Sequence, residues 1–267
     1  MLIMSFSVLM SVYFKEKPVY LAECLQSLVD QTLKADEVIL VEDGPISSEL
    51  KVEIEKYRDV LNIVSVALSV NIGLAKALNV GLKYCSYDLV ARMDTDDIAL
   101  PDRFEKQIAL MSSNPDIAVS SGFVEEFNDT GEILSQRVIP LEHDALVDFA
   151  KMRSPLSHPA VIFRKRVVLS VGGYPELYPE DYLLWVMLIQ SEYKISNIPD
   201  VLVRMRTGHD FITRRGWSFL KGELQTYRYL YKTNFINLYE YIKIVFLKSL
   251  LRLSPGFVKV FLYKVAR

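Results

Sequence analysis

The segment 88–102, DLVARMDTDDIALPD, decides how the rest of the chain is read. Asp88 to Met93 is short and largely apolar, as a buried strand is. Three carboxylates in four residues follow, Asp94-Thr95-Asp96-Asp97. Leu100-Pro101 then opens a helix-period pattern that runs to Ser112, with proline in the first turn. Strand, polar turn and helix form the repeating unit of a mostly parallel α/β sheet. The same unit precedes this one three times. Strands are expected at Phe6 to Phe14, Glu37 to Val41 and Ile63 to Leu68, and helices at Pro18 to Gln31, Ser47 to Tyr57 and Leu74 to Tyr84.

After residue 115 the pattern changes. Ile117 to Phe127 and Glu132 to Val138 flank Asn128-Asp129-Thr130-Gly131, which reads as a hairpin loop. A helix from about Glu142 to Met152, a strand Ala160 to Phe163, a helix from Asp181 to Ser191 and a strand Val201 to Arg206 complete the pattern. The second half is therefore mixed, and the fold class is α/β: a mixed sheet flanked by helices, followed by a helical tail. With no internal repeat and no low-complexity linker, the economical division is one domain over 1–215, changing character at 112/113, and a tail over 216–267.

The chain has 267 residues, 51% of them hydrophobic, which is ample for a core and excludes global disorder. Its two cysteines, Cys24 and Cys85, lie in apolar segments and cannot build a disulfide framework or a zinc knuckle, so both are expected as reduced core thiols of a cytosolic protein. The opening MLIMSFSVLMSVYF lacks the basic flank and small-residue cleavage site of a signal peptide and is expected to enter the fold directly.

Net charge is −2, yet residues 217–267 hold nine Lys or Arg against Glu223 and Glu240, which leaves the remainder at −9. That asymmetry suggests an anionic surface as partner of the tail. The Phe, Tyr, Leu and Ile around the cations favour a membrane and speak against nucleic acid. INLYEYIKIVFLKSLLRLSPGFVKVFLYKVAR nowhere offers the 18 or so uninterrupted apolar residues of a span. It suits helices lying in the interface of an anionic bilayer, and equally a helix packed back on the domain.

Ligands of an open parallel sheet bind beyond the carboxyl ends of its strands. Here those ends carry Glu42-Asp43-Gly44-Pro45, Ser69-Val70-Asn71-Ile72-Gly73 and Asp94 to Asp97. Carboxylates converging on one edge repel unless something positive lies between them, and a hard divalent cation with phosphate oxygens fills that role. One of these aspartates has the alternative task of capping the helix near Pro101. The segment SVYFKEKPVY after the first strand has neither the G-x-G-x-x-G of a dehydrogenase or methyltransferase nor the glycine-rich basic loop of a nucleotidyltransferase.

Residues 6 to 110 resemble the nucleotide-binding half of glycosyltransferase family 2, in the series FSVLMSVY, YLAECLQSLVDQTLKADEVILVEDGP, NIGLAKALNVGL and YDLVARMDTDDIALPDRFEKQ. The likeness continues at HPAVIFRK, VGGYPE and EDYLLW, covers roughly residues 5 to 210, and is nearest to enzymes of bacterial capsule, exopolysaccharide or O-antigen assembly. The resemblance implies a GT-A fold with a nucleotide-binding half over 1–112 and an acceptor half over 113–215. It also implies an inverting, metal-dependent transfer from a nucleoside-diphosphate sugar, normally UDP-linked, to a glycan or a polyprenyl-diphosphate-linked sugar, on the inner face of the cell membrane. Asp43 would contact the nucleobase, with Ser11 and Tyr13 lining the same pocket. Asn71, Gly73 and Lys76 fall near the diphosphate. Asp94 and Asp96 fit the family's DXD motif, Asp96 as direct ligand of Mn²⁺ or Mg²⁺ and Asp94 nearer the ribose or donor sugar. Asp181 becomes the base that takes the acceptor proton, assisted by Glu180.

Each assignment has a plainer competitor. Asp43 is also an ordinary turn residue, Lys76 a solvated helix residue, and Asp181 a first-turn carboxylate that complements the helix dipole. His209, after the last expected strand, is a candidate for the metal or diphosphate, whereas His158 is by default a core histidine. Arg204, Arg206, Arg214 and Arg215 either grip phosphate or form a solvated basic loop. No QxxRW sequence of the processive relatives occurs, which points to one sugar per encounter.

Overall fold

The computed structural model describes residues 4–207 and 217–253. Four parallel strands make the first half: β1 (Phe6–Val12), β2 (Glu37–Glu42), β3 (Ile63–Ala67) and β4 (Leu89–Arg92), in the order β3-β2-β1-β4. Helices cover both faces, so β1 and β2 are apolar almost throughout while the edge strand β3 alternates. Val8, Met10 and Val12 of β1 face one side, against Leu21 and Leu25 of α1 (Pro18–Val29) and Leu50 of α2 (Ser48–Tyr57). Leu9 faces the other, with Ile39 and Val41, against Ala77, Leu78 and Leu82 of α3 (Leu74–Leu82). This is the two-residue period of a strand feeding two cores at once.

The second half extends the same sheet. The short strand β5 (Ile98–Ala99), β6 (Ile117–Phe127), its hairpin partner β7 (Ile133–Arg137), β8 (Ile162–Arg164) and β9 (Lys194–Arg206) give the order β3-β2-β1-β4-β8-β6-β9-β5, with β7 on β6. β8 runs antiparallel to β4 and β6, and β9 parallel to β6. The hairpin and the mixed character agree with the sequence expectation. β9 instead starts seven residues before the expected Val201, because Pro199-Asp200 interrupts its apolar pattern where register shifts at Gly122 and Phe123 absorb the irregularity.

Helices α4 (Arg103–Ser113), α5 (His143–Ala150), α6 (Lys165–Ser170) and α7 (Glu180–Gln190) pack around this half. The tail supplies α8 (Trp217–Lys232) and α9 (Leu238–Leu253). Both pack back on α7, where Tyr182, Leu183 and Val186 meet Tyr227, Leu230, Ile236 and Ile244. Of the two tail readings, packing on the domain is therefore correct for one face of each helix. Cys24 and Cys85 are free and buried.

The approach of α3 to the sheet depends on Gly81, where an added Cβ would lie 2.4 Å from Leu9 Cδ1 and 2.8 Å from Val41 Cγ2. Gly81→Ala is expected to cost about 1–3 kcal/mol through overpacking, read as a lowered thermal midpoint. An unchanged midpoint would show that α3 can shift outward at no cost.

Candidate active site

The C-terminal ends of β1, β2 and β4 open into a cleft of about 280 Å³ lined by Ser11, Tyr13, Asp43, Asn71, Gly73, Asp94 and Asp96, together with Glu16, Leu74 and Thr95. Seven of the residues expected from sequence at the nucleotide and metal thus share one recess. Lys76 does not line it. Its Nζ lies 3.1 Å from Glu176 in a solvent-exposed pair, which restrains it little.

Asp43 is buried and fixes the cleft's floor. Its Oδ1 accepts the Ile72 N–H at 2.7 Å and its Oδ2 the Gly73 N–H at 3.1 Å, while Asn71 Nδ2 donates to its backbone carbonyl at 3.0 Å. A carboxylate oxygen has two acceptor positions, so each retains one for a ligand. The Gly73 N–H, by contrast, is already engaged and is not open to a phosphate. The adjoining turn requires Gly44, which has φ +86°, and its Cβ would fall 2.6 Å from Asn71 N.

The acidic turn is held from three sides. Cys24 Sγ of α1 donates to the Asp94 carbonyl at 3.1 Å, Thr95 Oγ1 to Glu16, and Arg206 of β9 both donates its N–H to Asp97 Oδ1 at 2.8 Å and its Nε to the Asp96 carbonyl at 3.0 Å. The Arg206 guanidinium is sandwiched between the rings of Tyr20 and Phe127, at 4.0 and 4.5 Å. It therefore braces the turn. Arg204 pairs with Glu125 at 3.2 Å. His209, Arg214 and Arg215 lie outside the described residues.

Arg92, the last residue of β4, is the charged group that sequence reading passed over. It is buried, and both terminal nitrogens of its guanidinium fork onto the two oxygens of Asp94. A lone charge inside an otherwise apolar strand was the available signal, since such a group is kept only when paired. Asp96 has no such compensation: burial and the charges of Asp94 and Glu16 push its carboxyl up to about 7. Burial and the charges of Asp94 and Asp96 raise Asp97 as well. A recess with this much unneutralised carboxylate, hard oxygen donors and no thiol fits a divalent cation, with Asp96 and then Asp94 as the residues that would hold it.

Glu180 and Asp181 form the first turn of α7, whose N-cap Pro179 offers no side-chain cap. Burial raises both carboxyls; Asp181 adds to the rise of Glu180, while Arg92 opposes it at both positions and Arg137 at Asp181. Asp94 also acts on Glu180. Neither Glu180 nor Asp181 lines the cleft, and the field of Arg92 reaches both. One turn beyond Asp181, Trp185 is fully buried, its ring 6.1 Å from that of His158. His158 contacts the Tyr174 hydroxyl at 3.2 Å, and burial and Arg92 hold its pKa well below the usual value, so it is a neutral core histidine.

Comparison with known proteins agrees with this geometry. The chain is 46% identical to the amylovoran biosynthesis glycosyltransferase AmsE of Erwinia amylovora, over 98% of this chain and 99% of that one. It is 38% identical to the UDP-Gal:alpha-D-GlcNAc-diphosphoundecaprenol beta-1,3-galactosyltransferase of Escherichia coli, over 97% and 95%. Among solved structures, S. aureus TarS 1–349 in complex with UDP-GlcNAc superposes with a TM-score of 0.67 at 21% identity, covering 92% of this chain and 73% of that one. The mannosyltransferase PcManGT from Pyrobaculum calidifontis, in complex with GDP-Man and Mn2+, gives 0.67 at 15%, covering 93% and 70%. These two show a shared fold. Residues 7–169, which carry the cleft and its acidic turn, match glycosyl transferase family 2, and with relatives this similar along their whole length the chain belongs to that family.

Proposed function

We propose that this glycosyltransferase moves a sugar from a UDP-sugar, with inversion, to a hydroxyl of a growing bacterial surface glycan carried on a polyprenyl diphosphate. The observation that carries the reading is the single recess uniting Ser11, Tyr13, Asp43, Asp94 and Asp96. The names of the E. amylovora and E. coli relatives support the glycan, the UDP-linked donor and the lipid diphosphate. Peripheral attachment to the inner face of the cell membrane through residues 217–267 belongs to the same reading. No helix among the described residues is long and apolar enough to cross a membrane.

In this reading Asp43, Ser11 and Tyr13 hold the nucleoside and Asn71 keeps the loop beside it in place. Asp96 and Asp94 hold Mn²⁺ or Mg²⁺, which when bound supplies Lewis-acid neutralisation of the departing diphosphate. His209 is proposed as a further ligand. Asp181 takes the acceptor hydroxyl proton and Glu180 orients it; a carboxylate whose pKa is raised by burial is a stronger base when ionised. With the base on one side of the sugar and the diphosphate on the other, displacement is in line and the anomeric centre inverts.

Thermal shift with a panel of UDP- and GDP-sugars and Mn²⁺ tests the donor site. At saturating concentration the matching donor should raise the midpoint by about 5 °C or more, and Asp96→Asn should remove the metal-dependent part. Absence of stabilisation by every nucleotide would overturn the reading.

Asp181→Asn should lower transfer about 10²–10⁴-fold while nucleotide stabilisation persists. Because the folded state raises the Asp181 pKa, its ionisation opposes folding above the ordinary Asp range. The Asn variant should therefore melt no lower than the parent at pH 8, and any advantage should vanish on acidification below that range. The parent's activity should begin to fall on acidification at a pH above the ordinary Asp range. A variant that loses stability and nucleotide binding together with transfer would reassign Asp181 to structure.

A further inference from the structure

Helix α9 has two faces of opposite character. Ile244 and Arg252 are buried and Lys248 is half-buried, and Glu223 of α8 lies between the cations, 2.8 and 3.0 Å from Arg252 and 3.4 Å from Lys248. On the opposite side Tyr239, Ile242, Phe246 and Leu253 are 58–74% exposed. At 100° per residue these four fall within an arc of about 60°. A helix that needed only to pack on the domain would carry polar residues there. Large apolar groups aligned in solvent mark a contact surface.

The charge around that stripe says what it contacts. On α8 the exposed residues Lys221, Gln225, Arg228 and Lys232 recur at helical spacing, opposite the buried Glu223, Tyr227 and Leu230. Lys243 is exposed beside the α9 stripe. Residues 217–253 contain two carboxylates. Glu223 is neutralised by Arg252 and Lys248, and Glu240 accepts the Asn237 N–H at 2.8 Å in the reciprocal cap that starts α9. The outward charge of the hairpin is thus positive. A second copy of the chain would bring an equally basic face against it, which like-charge repulsion disfavours.

We propose that the α8–α9 hairpin docks on an anionic lipid surface, with Tyr239, Ile242, Phe246 and Leu253 entering the headgroup–acyl boundary and Lys221, Arg228, Lys232 and Lys243 meeting the headgroups. The purpose of this docking rests on the lipid-borne acceptor proposed above. The hairpin also reaches the site. Thr226 Oγ1 donates to the Tyr178 carbonyl at 3.2 Å, and α8 passes so near at Gly222 that a Cβ there would lie 2.9 Å from the same oxygen. Tyr178 stands two residues before Glu180, so the buried face of α8 holds the loop that leads to Glu180 and Asp181.

The test is co-sedimentation of the full chain with vesicles that contain neither donor nor acceptor. Binding is expected to mixed phosphatidylglycerol–phosphatidylcholine vesicles, to weaken with salt, and to be slight on phosphatidylcholine alone. Ile242→Ser with Phe246→Ser should lower partitioning about tenfold or more, and Arg228→Glu with Lys232→Glu should do so through charge. Both pairs should keep the parent's thermal midpoint and its stabilisation by nucleotide. Indifference of the parent to phosphatidylglycerol, or parental partitioning by both variant pairs, would overturn the proposal. So would a parental dimer in sedimentation velocity that Ile242→Ser with Phe246→Ser converts to monomer, since the stripe would then join two copies. Nucleotide stabilisation is read separately, so loss of lipid binding and failure of the donor reading are distinguishable.

Discussion

The ion pair between Arg92 and Asp94 is the interaction on which the site depends. β4 lies between β1 and β8, so a guanidinium at its end is out of water and stays charged only beside a carboxylate. Asp94 supplies that carboxylate through a fork of two hydrogen bonds. The field of Arg92 reaches Asp96, Asp97, Glu180 and Asp181 and opposes the rise of each carboxyl, although at Asp96 and Asp97 the charge of Asp94 outweighs it. It also helps keep His158 neutral. Beneath it, Arg103 donates to the Arg92 carbonyl at 2.7 Å and is pushed down to about 9 by burial and by that same charge.

The two ends of the site are assembled differently. At the cleft most contacts come from the first half of the sheet, and Arg206 reaches in from β9 to brace the acidic turn. At the start of α7 the contacts are long-range throughout. Asn79 of α3 binds both the N–H and the carbonyl of Tyr174, at 2.8 and 2.7 Å, and α8 holds Tyr178. The loop that leads into α7 is thus clamped between the first half and the tail. Its position follows from packing of segments far apart in sequence, which is the reason a helix named as tail by composition contributes to the shape of the site.

What could be read in the sequence follows from this division. The parallel half was legible because each strand is a short apolar run ending in a polar turn, and the recess at its edge collects the residues those turns carry. Residues whose role depends on tertiary partners were misjudged or missed. Arg206 was a candidate for phosphate, yet Tyr20, Phe127 and the acidic turn already engage it. Lys76 lies on α3 but pairs with Glu176 outside the cleft. Arg92 is a lone charge in the otherwise apolar run Leu89 to Met93, and its partner Asp94 belongs to the turn beyond it. The early start of β9 was masked by Pro199-Asp200, and Ile98–Ala99 and Lys165–Ser170 are too short to display a period.

Among the described residues, Arg92 Nε, Asp97 Oδ2 and Trp185 Nε1, at the site or in the helix turn beneath it, are buried polar atoms with no hydrogen-bond partner, as are Ser112 Oγ and Asn197 Oδ1 elsewhere in the fold. Each such atom costs about 1–3 kcal/mol. A sequence selected for stability alone would replace them, since an apolar residue of similar shape removes the penalty. The two large clusters on either face of the sheet offset that loss.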